Sequence, residues 1–275
     1  MTSLPENRGL SLQTGTGKLT ARKDGAIGWI VFNNPQKRNA ISLDMWQGLG
    51  VAIAEFTQDS AIRLIVLKGA GEKAFVSGAD ISEFKDKRAT LEAIAVYNAT
   101  SVRVGDALAQ CPKPTLAMIR GYCMGGGLGI AVACDLRIAS DDSRFGIPAA
   151  KLGVGYRYAG LKRLTDLVEP SFVAEIFYTG RQFDAREALQ MGLVNRVLPV
   201  AGLEQYVLDY AAMIADNAPL TIAAVKRCLL EIPKDAGERN LALCQKMVDD
   251  CFASEDYVEG RTAFLEKRKP VFKGR

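Results

Sequence analysis

The chain has 275 residues, is 48% hydrophobic and 24% charged, and carries a formal net charge of +4. That length buries a full core, and so small a charge, with basic residues dispersed except near the C-terminus, gives no case for nucleic-acid binding. No apolar run approaches a membrane span, and residues 1–18 read as a loose polar tail rather than a secretory signal, so a cytoplasmic protein is expected.

Residues 26–32 alternate loosely and predict a strand, ended by Asn33-Asn34-Pro35. Ser42 is a candidate N-cap for a helix reaching Phe56, with Met45, Trp46, Leu49, Ile53 and Phe56 on one face. Short strands are expected at 64–67 and Ala74–Val76, followed by Ser77-Gly78-Ala79-Asp80 and a helix beginning near Ser82. A longer helix, Leu91–Ala109, stops at Cys111-Pro112-Lys113-Pro114. Thr115–Ile119 reads as a buried strand leading into Gly125-Gly126-Gly127 and a helix of small residues. Then come a strand at 136–139, a turn at 144–148, helices at 160–167, 170–178 and 184–191, and a strand at 193–198. Beyond Pro199 the pattern is helical: 203–215, 221–231 and 238–264. Strands paired before each helix suggest stacked strand–strand–helix turns over 19–200, with a helical region at 201–275.

The chain has no histidine, which excludes Ser-His and Cys-His nucleophilic sites, a histidine base and histidine-ligated zinc. Acid–base work falls to carboxylates, tyrosine, lysine, cysteine or water. The six cysteines form no CxxC pair and read as a reduced thiol set. The stretch 121–133 admits two readings. A glycine turn opening a helix leaves free N–H groups that hold an anion or an oxyanion; alternatively the glycines only let the helix pack closely.

Four segments in order carry a resemblance: Asn-Pro-Gln-Lys-Arg-Asn-Ala at 34–40, Ala-Phe-Val-Ser-Gly-Ala-Asp-Ile at 74–81, Gly-Tyr-Cys-Met-Gly-Gly-Gly at 121–127, and 183–195 with its Gly-Leu-Val-Asn ending. Together they resemble the enoyl-CoA hydratase/isomerase (crotonase) superfamily. The resemblance implies an α/β spiral of strand–strand–helix turns with a helical C-terminal region, assembled as a homotrimer or dimer of trimers. It implies an acyl-CoA substrate and no separate cofactor or metal, coenzyme A entering as part of the thioester. By motif position, the backbone N–H groups of Ser77 and Gly126 form the oxyanion hole. Arg38, Asn39 and Ala40 lie against coenzyme A, and Gly78, Ala79, Asp80, Ile81, Met124 and Ala149 line the substrate site. The basic end Lys267-Arg268-Lys269, with Phe264 and Phe272, either meets the nucleotide or is a solvated tail.

Hydratases of this family carry two glutamates that handle water and its proton. Their positions fall on Gly129 and Ala149, neither of which moves a proton. The following segment, with Tyr156, Arg157 and Tyr158 on a loop expected to face the acyl pocket, resembles that of methylmalonyl-CoA decarboxylase, which has a tyrosine where Tyr156 falls. That enzyme carries a histidine where this chain has Ala79. The three residues either serve the reaction or shape the pocket or a subunit contact. Asp80 and Asp135 are expected to be structural, and Glu83 and Lys85 to lie on a helix face or at the pocket rim. The expected function is an acyl-CoA lyase using enolate chemistry other than standard hydration, with a catalytically silent acyl-CoA binder as the alternative. An arginine in the loop points to a substrate with a carboxylate or polar end.

Overall fold

A computed structural model of the chain describes residues 11–83 and 90–275. The alternation at 26–32 forms strand Ile27–Phe32 (β3), and the preceding Leu19–Asp24 (β2) pairs with it antiparallel, Leu19 opposite Phe32. The charges of Arg22, Lys23 and Asp24 conceal β2 in the sequence. Ser11–Leu12 (β1) extends this edge, and Thr14 is buried with its hydroxyl donating to the Leu19 carbonyl at 2.6 Å. Residues 11–18, expected within a loose tail, run against the core.

Seven strands form the larger sheet in the order β1-β2-β3-β4-β6-β8-β11, where β4 is Leu64–Gly69, β6 Thr115–Ile119, β8 Leu136–Ser140 and β11 Arg196–Leu198. From β3 onward neighbours are parallel. A second sheet has four strands, β5 (Ala74–Val76), β7 (Tyr122–Met124), β9 (Arg144–Gly146) and β10 (Phe183–Asp184), in the order β10-β9-β7-β5. Each turn of the spiral runs through the large sheet, then the small one, then a helix: β4, β5 and Leu91–Ala109; β6, β7 and Gly126–Ala133. The turn expected at 144–148 therefore begins as a strand, one of only three residues and too short to set a pattern.

The large sheet is covered on both faces, so its central strands read as continuous apolar runs. Leu64 and Val66 join Trp29, Leu116 and Met118 against Leu203, Val207 and Ala211 of helix Val200–Ala215. Alternate residues Ile65, Leu67, Ala117 and Ile119 face the principal core, which also holds Met45, Leu49 and Phe56 of helix Leu43–Gln58.

Helices Pro219–Glu231, Leu241–Ala253 and Glu255–Glu266 complete the C-terminal region. A single helix was expected over 238–264. It breaks at Ser254, whose hydroxyl caps the next helix by accepting from Tyr257 N at 3.1 Å. Buried Lys226 ties this region to the core. Its Nζ donates to Asp135 Oδ2 at 2.7 Å and to the Lys113 carbonyl at 2.8 Å. The same Asp135 oxygen accepts from Thr115 N at 2.7 Å, which makes Asp135 structural, as expected. Among the described residues no helix is long and apolar enough to cross a membrane.

Candidate active site

The carboxyl ends of the parallel strands β5, β7 and β9 lie side by side, where open parallel sheets commonly place ligands. They deliver Ser77-Gly78, Gly125-Gly126 and Ile147-Pro148-Ala149 to one edge. Gly125, at φ 51°, turns the chain into the helix, and its N–H donates to the Gly146 carbonyl at 2.8 Å. Gly127 permits the helix to approach β5, since a β-carbon there would stand 2.2 Å from the Val76 carbonyl oxygen. Gly126 is the first helical residue, so its N–H has no acceptor within the helix, and it takes none elsewhere among the described residues. It points the positive end of the helix toward the site.

Ser77, the second expected donor, is engaged: its N–H donates to the Arg38 carbonyl at 3.1 Å. Arg38 and Asn39 hold left-handed backbone at φ 51° and 55°, a conformation costly for side chains other than glycine. Asn39 enforces it. Its Oδ1 accepts from Asn34 N at 3.0 Å, and its Nδ2 donates to the carbonyls of Ala70 at 2.9 Å and Ala74 at 2.7 Å. Asn39 is therefore a buried scaffold, while exposed Arg38 stacks over the Tyr122 ring at 5.1 Å and Ala40 is half-buried.

Ile41 lies alongside Ala79, donating to the Gly78 carbonyl at 2.8 Å and accepting from Asp80 N at 2.9 Å. Burial opposes the Asp80 charge, yet the Ser82 hydroxyl and Lys37 ammonium hold its carboxyl below the usual range. That makes Asp80 a brace for the turn, as expected. Ile81 is exposed at the rim, whereas Met124 and Ala149 are buried beneath it. Glu83 does not reach into the site: its carboxylate accepts from Leu43 N at 3.0 Å, capping the helix that Ser42 was expected to cap with its own side chain. Lys85 lies outside the described residues.

The loop after Ala149 separates the three residues expected to act together. Only Tyr156 turns inward. Its ring packs edge-on against Phe177 with centroids 4.6 Å apart, and its hydroxyl lies 3.9 Å from where a β-carbon on Gly129 would sit. Gly160 makes room for that ring, because a β-carbon there would come within 2.8 Å of Tyr156 Cε1. Arg157 is exposed, and Tyr158, 79% exposed, lines a wider cleft beside the helical region that shares Val132 and Arg163 with the space next to Tyr156. The structure thus sets Tyr156 apart from Arg157 and Tyr158, which lie at the entry to helix Tyr158–Thr165 with their side chains exposed.

Behind Gly129 lies a chamber of about 30 Å³ walled by Leu128, Val132, Ile147 and Leu164, with Gly160, Tyr156 and Arg163 completing it. Among the described residues no carboxylate lines it. Burial pushes the Tyr156 phenol above its ordinary value, with Arg163 opposing, so the group is a neutral donor at physiological pH. Buried Cys123 and Cys134 are unsuited to proton transfer, since burial drives the Cys123 thiol up and that of Cys134 to about 12. Arg163 and Gly160 were not singled out in the sequence, where Lys162-Arg163 reads as an ordinary charged helix face. Among the described residues no His/Cys/Asp/Glu group could hold a metal ion.

In the C-terminal basic end, Arg268 pairs with Glu259 at 2.6 Å and Lys269 with Asp216 at 2.6 Å. Phe264 is exposed, and Phe272 lies against Gly260.

A two-sheet spiral of strand–strand–helix turns with a helical C-terminal region defines a crotonase-type fold. The family model for enoyl-CoA hydratase/isomerase matches residues 22–275, and the chain belongs to that family. It is 35% identical to the short-chain-enoyl-CoA hydratase of Clostridium acetobutylicum over 247 residues, covering 90% of this chain and 94% of that protein. It is likewise 35% identical to the carnitinyl-CoA dehydratase of Citrobacter koseri over 257 residues, 92% of this chain and 97% of the relative. Among solved structures, an enoyl-CoA hydratase/carnithine racemase from Magnetospirillum magneticum superposes with a TM-score of 0.88 at 36% identity, covering 94% of this chain and 97% of that one.

Proposed function

We propose that the protein is an acyl-CoA enzyme that stabilises a thioester enolate and performs a reaction other than standard hydration, with decarboxylation of a short carboxyacyl thioester favoured. The observation carrying this reading is the Tyr156 hydroxyl set against Gly129, in a chamber that no carboxylate lines among the described residues. Hydration by the family's glutamate pair needs carboxylates at 129 and 149, and glycine and alanine stand there.

The thioester oxygen takes the Gly126 N–H directly and competes with the Arg38 carbonyl for that of Ser77. Charge developing on this oxygen is stabilised by fixed donors, each worth about 3–4 kcal/mol in comparable sites. In decarboxylation the bond from the α-carbon to the carboxylate breaks, its electron pair enters the enolate, and carbon dioxide leaves. The α-carbon then takes a proton from the Tyr156 hydroxyl or from a water held by it. Arg38 and Ala40 border the coenzyme A path in this reading.

The exposed apolar faces of the last helices support a homotrimer or dimer of trimers. Val225, Leu229, Phe252 and Phe264 border a groove of about 760 Å³ that a second copy of the chain would cover. Light scattering should give a mass of three or six chains; a monomer would remove this part of the reading.

The deciding experiment incubates the protein with crotonyl-CoA, methylmalonyl-CoA and a wider acyl-CoA panel and follows products by mass spectrometry. Carbon dioxide release or another enolate-derived product supports the proposal. Hydration of crotonyl-CoA at an ordinary enzymatic rate overturns it, and tight binding without product across the panel identifies a silent binder.

A further inference from the structure

Among the described residues, Arg163 on helix Tyr158–Thr165 is the cation that lines the chamber behind Gly129. A guanidinium has five N–H donors. Arg163 uses Nη2 to donate to Asp106 Oδ1 at 2.6 Å and forms no other hydrogen bond among the described residues. Asp106 is 43% exposed, so water screens the pair and leaves much of the cation's reach intact. That reach extends to the Tyr156 phenol, whose ionisation Arg163 favours against burial.

Size narrows the ligand further. A water needs roughly 10–15 Å³ measured this way, so the chamber's 30 Å³ admits about two water-sized atoms, the oxygens of one carboxylate. A longer alkyl tail finds no room there, and Arg163 and the Tyr156 hydroxyl supply the polar contacts in a wall otherwise made of Leu128, Val132, Ile147 and Leu164.

We propose that the acyl group bound here is short and ends in a carboxylate, held by Arg163 with the Tyr156 hydroxyl beside it. This rests on the reading of the site as an acyl-CoA site. The anion-reading role expected of a loop arginine thus moves from Arg157, which is exposed, to Arg163. Arginine suits the task because its planar fork matches a carboxylate. Asp106 shares its charge and keeps the grip moderate, as a substrate that must lose its carboxylate requires.

Calorimetric titration with a matched pair, malonyl-CoA and propionyl-CoA, tests the proposal, the integrity of each thioester being checked by mass spectrometry. The wild type should favour malonyl-CoA by at least about tenfold, the usual effect of a hydrogen bond to a charged group. Arg163→Gln should bring the ratio close to one while propionyl-CoA affinity stays within about threefold, and Arg163→Lys should fall between. Equal affinities in the wild type overturn the proposal and leave the acyl-CoA reading standing, as does a preference that survives in a folded Arg163→Gln. Should loss of the Asp106 pair prevent Arg163→Gln from folding, the wild-type ratio and Arg163→Lys decide. Failure to bind either thioester removes both readings together.

Discussion

The Tyr156 hydroxyl stands 3.9 Å from the point a β-carbon would occupy on Gly129. The phenol thus occupies space that a longer side chain at 129 would enter, and the two residues form one chemical unit.

If that unit replaces a glutamate pair, restoring the pair should restore hydration. Gly129→Glu alone should leave crotonyl-CoA hydration at the wild-type background, because Ala149 still supplies no carboxylate. The triple variant Gly129→Glu/Ala149→Glu/Tyr156→Ala, the last change clearing space, should raise it by about 10²–10⁴-fold. Loss of enoyl absorbance gives the rate.

Tyr156→Phe keeps the ring on Phe177 and removes only the hydroxyl. Turnover of the true substrate should fall by about 10²–10⁴-fold, well beyond any loss in binding. The raised phenol keeps its proton as pH climbs, so the wild-type rate should hold until pH passes above 10, the ordinary tyrosine value. A pH–rate profile shows whether that alkaline limb vanishes in the variant.

Gly160→Ala tests the same ring from its other side. A methyl at 2.8 Å from Cε1 must push Tyr156 aside, costing about 1–3 kcal/mol in stability and lowering turnover more than binding. Denaturant melts and steady-state kinetics separate the two effects.

Lys226→Ala removes the buried ammonium that joins Asp135 to the Lys113 carbonyl. Loss of hydrogen bonds to a charged group should cost about 2–3 kcal/mol, read from the urea midpoint, and should loosen helix Pro219–Glu231 first.

The C-terminal segment should release in acid. Arg268, with the Val271 N–H, pulls the Glu259 carboxyl down to about 2. A folded value below the unfolded one of about 4.3 makes this contact fully stabilising above that pH and lost as pH falls toward 2. Hydrogen exchange at residues 268–275 should rise across that window, and Glu259→Gln should reproduce the rise at neutral pH.

Much of this fold was legible because its signals are local. Leu91–Ala109 and Thr115–Ile119 emerge with the bounds the sequence suggests, since their ends are marked by Cys111-Pro112 and by glycine. Strand β2 was hidden, because Arg22 and Lys23 break its apolar pattern and find their partners, the Trp29 ring and Asp59, only in the fold. Glu83 was missed as a helix cap because its partner, Leu43 N, lies forty residues away in sequence.

The residues themselves determine the family and the chemistry the chain lacks: no histidine, glycine at 129 and alanine at 149. These are matters of identity and spacing along one chain. Tertiary structure alone decides that Tyr156 turns toward Gly129 while Arg157 and Tyr158 turn away, and that Arg163 shares the chamber. Which way a side chain points at a loop–helix junction depends on what packs against it. Here the missing β-carbon of Gly160 leaves room for the ring on its own helix, and Phe177, from the next helix, fixes it only once the chain has folded.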